Sequence, residues 1–486
     1  MPIEIPTLNF TALIPELIVI TTALLVMMFD LFMVDKRGLG YLSLIGLVGA
    51  GIASFMMLGT NSAPAFQTMM VSDGYSLFLN LIFIVTAALS VLIALNYLDD
   101  KKMQRGEYYS LLLFATSGMM LMGAATDLIV VFLGLEIMSI ALYVLAAFNR
   151  RQLGSGEAGM KYFILGAFAS AFFLYGAAFL YGATGSTHLQ TIGDWFASNP
   201  RSLTDPLALV GLGLLLVGFS FKVAAVPFQW WTPDVYQGAP TSVTAFMSVG
   251  AKAAGFAALI RLLMVSFDTA FTLDWQIAVA ALAVITMTVG NVAALAQKDV
   301  KRMLAYSSIA HAGYIFVGVV PATMDGVNGV LFYLMSYAFM NVGAFAVIGV
   351  LERRNEIGSA LSDYAGLSTR KPLLALVMAF FMFSLTGIPP FVGFWGKLYV
   401  FQAAVDANIS WLAVAGMINS AISAFYYLSV VVQMYMRPVN DEVVEATPLH
   451  LGIPVTVTLI VSGLLTIALG LWPTPLIDLA TLAVFG

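Results

Sequence analysis

The 486-residue chain contains no cysteine and only three histidines. The lack of cysteine excludes cysteine-ligated iron–sulfur clusters, disulfides and thiol catalysis in this chain. The histidines, His188, His311 and His450, lie far apart in the sequence, so no local histidine-rich metal motif exists. A P-loop and a dinucleotide-binding fingerprint are also absent, which argues against nucleotide chemistry. We therefore expect neither a metal nor a cofactor in this chain, and no nucleic-acid partner.

Charged residues are also scarce. They make up 10% of the chain, against 60% hydrophobic residues, whereas soluble domains carry about 25% charged residues. Such a chain could not cover a water-facing surface. Apolar runs of about 20 residues, the length that crosses a lipid bilayer as a helix, recur along its whole length. The composition predicts an all-α polytopic membrane protein.

The apolar runs predict about fourteen membrane spans. In chain order, spans 1 to 14 are expected at residues 10–33, 39–59, 74–97, 108–125, 127–148, 160–183, 206–231, 241–265, 275–296, 302–320, 327–350, 372–402, 411–436 and 450–472. Most lysines and arginines fall in alternate loops, and the opposite loops hold only Arg201 and Arg261. Cytoplasmic loops carry the excess of basic residues. Both termini are therefore expected outside, in the periplasm if the membrane is a bacterial inner membrane.

Five ionisable residues stand out deep inside predicted spans. They are Glu136, Lys222, Lys252, His311 and Lys397. A lysine or an aspartate at the centre of a membrane helix costs about 2.5–3.5 kcal/mol. We therefore expect these side chains to face the protein interior or water. Within a membrane, such a set is typical of a proton pathway.

Short segments repeat along the chain. "VGFSFK" ends at Lys222 and "VGFWGK" ends at Lys397, at an offset of 175 residues, and the same offset relates Glu136 to His311. The offset covers five spans, and an odd number inverts the second unit relative to the first, as in many transporters. The spacing predicts an N-terminal three-helix region, two inverted repeats (spans 4–8 and 9–13) and a C-terminal helix, with bounds at 1–107, 108–266, 267–437 and 438–486.

Prolines interrupt the corresponding spans 7 and 12. Pro227 follows Lys222 by five residues, and Pro389 and Pro390 lie within span 12. Proline removes a backbone donor and clashes with the preceding turn, so both spans are expected to be discontinuous. Freed backbone groups are tolerated at membrane depth only beside protein or water. A Lys222–Glu136 pair that forms and breaks in this setting could load and release a proton.

Longer motifs carry a family resemblance over nearly the whole chain. "DLIVVFLGLEIMSIALYVLAAFNR", "GFSFKVAAVPFQWWTPDVYQGAPT", "SVGAKAAGFAALIRL", "KDVKRMLAYSSIAHAGYI" and "GIPPFVGFWGKLYVF" closely resemble the subunit N family of bacterial NADH:quinone oxidoreductase, or respiratory complex I. These antiporter-like subunits are related to Mrp-type cation/proton antiporters. The resemblance implies fourteen spans, inverted repeats, broken spans 7 and 12, and a central proton-carrying axis.

The resemblance also implies roles for individual residues. Glu136 matches the span 5 glutamate and Lys222 its span 7 partner, while Lys252, His311 and Lys397 match residues of spans 8, 10 and 12. Lys161 matches a lysine at the start of span 6, where an ordinary cytoplasmic lysine is the rival interpretation. Related proteins often have histidine at the position of Gln229, and a glutamine cannot titrate.

The implied assembly is a multi-subunit complex in the lipid bilayer. Redox chemistry with NADH, FMN, iron–sulfur clusters and quinone would belong to partner subunits, and this chain would contact further antiporter-like and small membrane subunits. Two alternatives remain open at the level of sequence. One is an Mrp-type cation/proton antiporter subunit, and the other is a scaffold that has lost transport.

Overall fold

A computed structural model describes residues 9–60, 62–199, 205–267, 272–352, 358–439, 451–483 and 485. Arg201, one of the two basic residues assigned to the outer side, lies outside the described residues, as does His450, the first residue of span 14. The described chain is mostly helical, as the composition predicts.

Three long helices begin the chain. They are α1 (Ile14–Asp30), α2 (Arg37–Met57) and α3 (Gly74–Asp100). A 3-10 turn precedes α1 at Phe10–Leu13. Between α2 and α3 lies an antiparallel hairpin that the sequence did not predict, formed by β1 (Ala63–Ala65) and β2 (Met70–Ser72). Asp73 then caps α3 by accepting a hydrogen bond from the backbone of Ser76.

The next segment carries five long helices and two short ones. The long helices are α4 (Gly106–Ala124), α5 (Leu128–Ala146), α6 (Leu153–Thr184), α8 (Pro206–Val223) and α10 (Thr241–Ser266). The short helices are α7 (Leu189–Ser198) and α9 (Trp231–Gly238). Helix α9 returns the chain from the end of α8 to the start of α10.

Nine further helices lie in the described part of the remaining chain. Its helices are α11 (Thr272–Leu295), α12 (Val300–Val319), α13 (Met324–Leu351), α14 (Leu367–Arg370), α15 (Pro372–Thr386), α16 (Val392–Asp406), α17 (Ser410–Met436), α18 (Ile453–Leu471) and α19 (Thr474–Thr481). A 3-10 turn at Leu361–Tyr364 precedes α14.

Every predicted span coincides with helical structure. Among the described residues, eleven helices are long and apolar enough to cross a membrane, which confirms a multi-pass helical membrane protein. The three spans outside that set correspond to α4, to α12 and to the interrupted pair α15 and α16. The total of fourteen spans, the inverted repeats and the division into four regions remain predictions.

Helix α10 lies at the centre of the bundle. Its apolar stretch is completely buried, and it packs against α3, α4, α8 and α13. Small residues permit this close packing: a Cβ atom added at Gly255 would lie 2.8 Å from the Val223 side chain of α8. Arg261, which the charge pattern assigns to the outer side, lies buried near the end of α10 and pairs with Asp73. The side of the membrane stays a prediction.

The prolines lie in two helix breaks. The first break follows α8, where Ala224 has a positive φ of 63° and Pro227 precedes α9. The second separates α15 from α16, where Gly387 has a φ of 91° and Pro389 and Pro390 follow. The two breaks differ in one respect. Lys222 precedes its break, whereas Lys397 follows its own.

Candidate functional site

Lys222 lies in the last turn of α8 and is almost completely buried. Its Nζ donates hydrogen bonds to Oγ of Ser139 over 2.8 Å and to the hydroxyl of Tyr162 over 3.3 Å. The unsatisfied carbonyls at a helix carboxyl end favour a cation. The end of α8 therefore provides an electrostatically favourable place for an amine within the bundle.

Glu136 lies one turn before Ser139 on α5 and is partly buried. The neutral hydroxyl of Ser139, rather than the carboxylate of Glu136, directly contacts the Lys222 amine. Oε1 of Glu136 is buried and has no hydrogen-bond partner among the described residues. The structure thus places Ser139, one turn after Glu136 on α5, in contact with the Lys222 amine of α8. Whether the pair exchanges a proton stays a prediction.

Aromatic residues surround the first break. Trp231 stacks on the Tyr162 ring with 4.4 Å between ring centroids, and its indole nitrogen donates to the Phe221 carbonyl over 2.9 Å. The same carbonyl, near the end of α8, also accepts from the backbone N–H of Ala224 over 3.1 Å. Gln229, at the position where relatives often have histidine, is buried in the same break, and its Oε1 has no partner among the described residues.

Lys252 lies in the middle of α10 and is 1% exposed. Its Nζ donates to the backbone carbonyl of Ser308 on α12. One turn further along α10, a Cβ atom added at Gly255 would lie 3.5 Å from Cγ of Lys222. The side chain of Lys222 therefore packs against α10 about one turn from Lys252.

His311 lies one turn after Ser308 on α12 and is buried between two tyrosines. Its Nδ1 is 2.7 Å from the hydroxyl of Tyr333 on α13, and its Nε2 is 2.9 Å from that of Tyr427 on α17. The Tyr427 hydroxyl is also 2.5 Å from Oγ of Ser307. Both ring nitrogens thus contact groups that can donate or accept a hydrogen bond.

Lys397 lies in the second turn of α16 and turns back toward the break. Its Nζ donates to the carbonyl of Thr386, the last residue of α15, and to Oγ of Ser420 on α17, both over 2.8 Å. The amine also lies 4.7 Å from the ring centroid of Tyr314. Tyr314 follows His311 by three residues on α12.

Lys161 belongs to a different environment, at an open surface. Its Nζ pairs with Glu157 at 2.6 Å and with Asp234 at 2.7 Å, and Asp234 also pairs with Arg302 at 2.7 Å. This network joins α6, α9 and α12. Partial burial opposes ionisation of Asp234, but the hydrogen bonds from Lys161 and Arg302 outweigh it and lower the pKa of this carboxyl.

The Lys161 network borders an open cleft of about 440 Å³. Charged side chains line much of it, namely Glu157, Lys161, Asp234, Asp299, Lys301 and Glu352. Lys301 is itself buried and donates to the carbonyl of Ala239, the residue that follows α9. The cleft therefore brings water and charge to the α9 segment that precedes α10.

The structure brings four of the six predicted relay residues into the bundle interior. Lys222, Lys252, His311 and Lys397 lie there, whereas Glu136 is partly buried and Lys161 is at the cleft. Sequence reasoning missed the hydroxyl groups that contact them. The available sequence signal was the repeat. Ser139 lies three residues after Glu136, Tyr314 lies three residues after His311, and the offset of 175 residues relates Ser139 to Tyr314.

Together these features define a polytopic helical membrane protein with three lysines and a histidine buried in its interior. A family model described as NADH:quinone oxidoreductase/Mrp antiporter, TM, matches residues 125–423. The chain belongs to this family. Among the described residues, no group of three or more histidine, cysteine or acidic side chains is arranged to hold a metal ion.

Curated relatives match almost end to end. The chain is 48% identical over 480 residues to NADH-quinone oxidoreductase subunit N of Trichlorobacter lovleyi, with 98% of this chain and 97% of the relative covered. It is 46% identical over 496 residues to the subunit N of Chloroflexus aggregans, covering 100% and 99% of the two chains. The resemblance to the subunit N family is thereby confirmed.

Solved structures share the fold. A chain of respiratory complex I from Thermus thermophilus is 36% identical with a TM-score of 0.81, covering 96% of this chain and 99% of that one. A chain of the Mrp complex from Dietzia has a TM-score of 0.86 at 21% identity, covering 98% and 97%. The second likeness is evidence of fold alone, because its identity is low.

Proposed function

We propose that this chain is a proton-translocating, antiporter-like membrane subunit of an NADH:quinone oxidoreductase. Protons would move along the buried lysine, glutamate and histidine residues, driven by redox chemistry in partner subunits. NADH, FMN, iron–sulfur clusters and quinone would bind to those partners, which would include further antiporter-like and small membrane subunits. The expected location is a bacterial inner membrane with both termini in the periplasm.

One observation carries the proposal: a single row on α12 connects the buried groups. Ser308, His311 and Tyr314 are spaced three residues apart and lie near one another on the helix surface. The first accepts a hydrogen bond from Lys252, the second is the buried histidine, and the third contacts Lys397. The row therefore joins the centre of the bundle to the second helix break.

The hydrogen-bond partners of the three buried lysines are neutral. Hydroxyls and carbonyls contact Lys222, Lys252 and Lys397, and among the described residues no side-chain carboxylate lies within salt-bridge distance of them. A permanent ion pair would hold a lysine in its charged form. Neutral partners leave each amine able to gain or lose a proton as charges move nearby.

Unpaired hydroxyls support a hydrated path between the lysines. Oγ of Ser308 and the hydroxyls of Tyr236 and Tyr337 are buried and form no hydrogen bond of good geometry among the described residues, although Ser308 lies close to both tyrosines. Buried polar groups that lack a protein partner bind ordered water. Water bound by these groups would continue the row from the first break, beside Tyr236, toward Lys252 and His311.

The proposed direction runs from the cytoplasm to the periplasm. Protons would reach Lys222 first, pass through Lys252 and His311, and leave by Lys397. Moving one charge against 100 mV costs about 2.3 kcal/mol. Lys161 and the charged cleft would collect protons at the cytoplasmic surface, and Pro227, Pro389 and Pro390 would keep the helix ends open.

Replacing the central lysines tests the proposal. In the assembled complex, Lys222→Ala and Lys252→Ala should abolish most proton pumping, measured by quenching of a pH-sensitive dye in vesicles, while the complex still assembles. Lys298→Ala, which removes an exposed lysine, serves as the matched control and should pump normally. Normal pumping in both central variants would refute the proposal.

The alternative is an Mrp-type cation/proton antiporter subunit, because the description of the matching family model includes Mrp antiporters as well as NADH:quinone oxidoreductase. It predicts that sodium gradients drive proton movement without any electron donor. Vesicles containing the native complex separate the two functions. NADH-dependent acidification supports the first, and sodium-driven exchange without NADH supports the second.

A further inference from the structure

Glu16 is a buried carboxyl that the proposed proton route does not use. It lies in the first turn of α1, is 3% exposed, and falls outside the residues matched by the family model. Nδ2 of Asn80 on α3 donates to its Oε1 over 2.8 Å, and Asn80 is itself 1% exposed. The two side chains thus form a polar pair among apolar helices.

Each side chain of this pair has one oxygen without a hydrogen-bond partner among the described residues. These atoms are Oε2 of Glu16 and Oδ1 of Asn80. An ionised carboxylate and an amide oxygen are both acceptors, so neither can satisfy the other. A single proton on Oε2 could serve both atoms: its O–H would donate to Oδ1 while the amide N–H still donates to Oε1.

The neighbouring helices bring no cation to Glu16. Helix α1 packs against α2 and α4. The charged residues of those two helices, Arg37 and Glu107, lie in their first turns. Because successive spans are antiparallel, those turns are at the opposite end of the bundle from the first turn of α1. Helix α3 adds only Asp99 and Asp100, in its last turn. An ionised Glu16 would therefore have no counter-ion on the helices that bury it, although its own backbone N–H lies close enough to donate to it.

The nearby charges at the outer end are already paired. Asp73, which precedes α3, binds Arg261 through two hydrogen bonds of 2.7 and 2.9 Å. Tyr75 donates to the Ala257 carbonyl over 3.0 Å. The amino end of α1 stabilises a negative charge, but by less free energy than the burial of an isolated carboxylate costs. The balance favours the neutral acid.

We propose that Glu16 is an accessory proton-binding site, held as a neutral carboxylic acid by two-point pairing with Asn80. The carboxylate takes up one proton from water, and no other bond or electron is exchanged. The pair ties α1 to α3 and lies outside the lysine row, so the inference goes beyond the proposed function and does not depend on it.

Infrared difference spectroscopy on the full-length chain purified from membranes tests this site. The wild-type spectrum minus that of Glu16→Gln, at neutral pH, should contain the carbonyl stretch of a protonated acid, which shifts in D₂O. Glu107→Gln is the matched control, since it removes an exposed glutamate, and its difference spectrum should contain carboxylate stretches. Carboxylate stretches for Glu16 would overturn the proposal.

A second variant tests the partner. Asn80→Leu should shift the acid carbonyl band, because both hydrogen bonds are lost, and an unshifted band would refute the pairing. Glutamine matches the shape and hydrogen-bonding capacity of a neutral acid. Glu16→Gln should therefore accumulate in membranes at the wild-type level, and its failure to do so would also contradict the proposal.

Discussion

Nζ of Lys397 donates to the carbonyl oxygen of Thr386 over 2.8 Å, so the amine of α16 rests on the carboxyl end of α15. Lys222 differs, because it lies in the last turn of α8 itself and its amine donates to the hydroxyls of Ser139 and Tyr162. Only Lys397 thus contacts a carbonyl at the carboxyl end of the preceding half-helix, an end that favours positive charge. The breaks provide a polar setting for each amine at membrane depth.

Gly387→Ala should disturb the second break. The residue has a φ of 91°, and an added Cβ would lie 3.0 Å from Cδ of Lys397. A left-handed conformation costs a residue with a Cβ about 1–2 kcal/mol, and the contact would push the lysine away from Thr386. We expect a lower unfolding temperature and a marked loss of proton pumping, measured in detergent and in vesicles respectively.

Gly213→Ala provides the control for that variant. Gly213 lies inside α8 with no atom within 4 Å of an added Cβ. Alanine there should be neutral or should stabilise the helix by about 0.5–1 kcal/mol. Equal effects of the two substitutions would contradict the role assigned to the break.

Tyr427→Phe should impair proton transfer at His311. It removes the hydroxyl that contacts both Nε2 of His311 and Oγ of Ser307. Leaving buried polar atoms unpaired costs about 1–3 kcal/mol, so we expect slower pumping in a complex that still assembles. Tyr435→Phe, on an exposed part of the same helix, should pump at the wild-type rate. Unchanged pumping in Tyr427→Phe would remove this tyrosine from the route.

The positions of the membrane helices could be predicted because lipid offers the backbone no hydrogen-bond partner. An apolar run long enough to cross the membrane must therefore satisfy its own backbone groups as a helix. Apolar length alone located α2, α3, α13 and the others within a few residues. The short helix α7 and the hairpin β1–β2 were missed, because such segments lie outside the long apolar runs and leave no comparable signal. The pairing of Arg261 with Asp73 could not be predicted, because the two residues are 188 positions apart in the sequence.

The site was predictable only in its charged members. A buried lysine such as Lys252 is conspicuous in an apolar run because its cost must be offset. Its partner is a backbone carbonyl of Ser308, which no side-chain pattern reveals. Serines and tyrosines such as Ser139 and Tyr333 are common in membrane helices, so their selection as partners depends on helix packing that the sequence does not state.

Asp234→Asn should weaken the network that joins α6, α9 and α12, with a small effect. Lys161 and Asp234 are 40% and 35% exposed, and pairs this exposed contribute about 1 kcal/mol or less. The pKa of Asp234 is lowered in the fold, because the hydrogen bonds from Lys161 and Arg302 outweigh the effect of burial. Its contribution is therefore present above about pH 4, where the unfolded carboxyl ionises, and is lost as pH falls through the lower folded value.

Thermal unfolding between pH 7 and pH 3 checks this expectation. Wild type and Asp234→Asn should differ at pH 7 and converge toward pH 3. Asp194→Asn changes an exposed carboxylate that accepts a hydrogen bond from the neutral side chain of Gln190. It should leave the unfolding temperature unchanged. A constant difference between wild type and Asp234→Asn at all pH values would contradict the electrostatic origin.

Arg261→Met should destabilise the bundle far more than removal of a surface pair. Arg261 and Asp73 are 1% and 0% exposed, whereas Arg37 and Asp99 are 53% and 43% exposed. Removing one partner of a buried pair leaves an uncompensated charge and costs about 3–5 kcal/mol, while an exposed pair contributes about 0–1 kcal/mol.

Unfolding in SDS should therefore show a much larger loss of stability for Arg261→Met than for Asp99→Ala. Adding Asp73→Leu to Arg261→Met should recover part of the lost stability, because no lone charge then remains. A double variant less stable than Arg261→Met would mean that the Asp73 cap of α3 matters more than its charge.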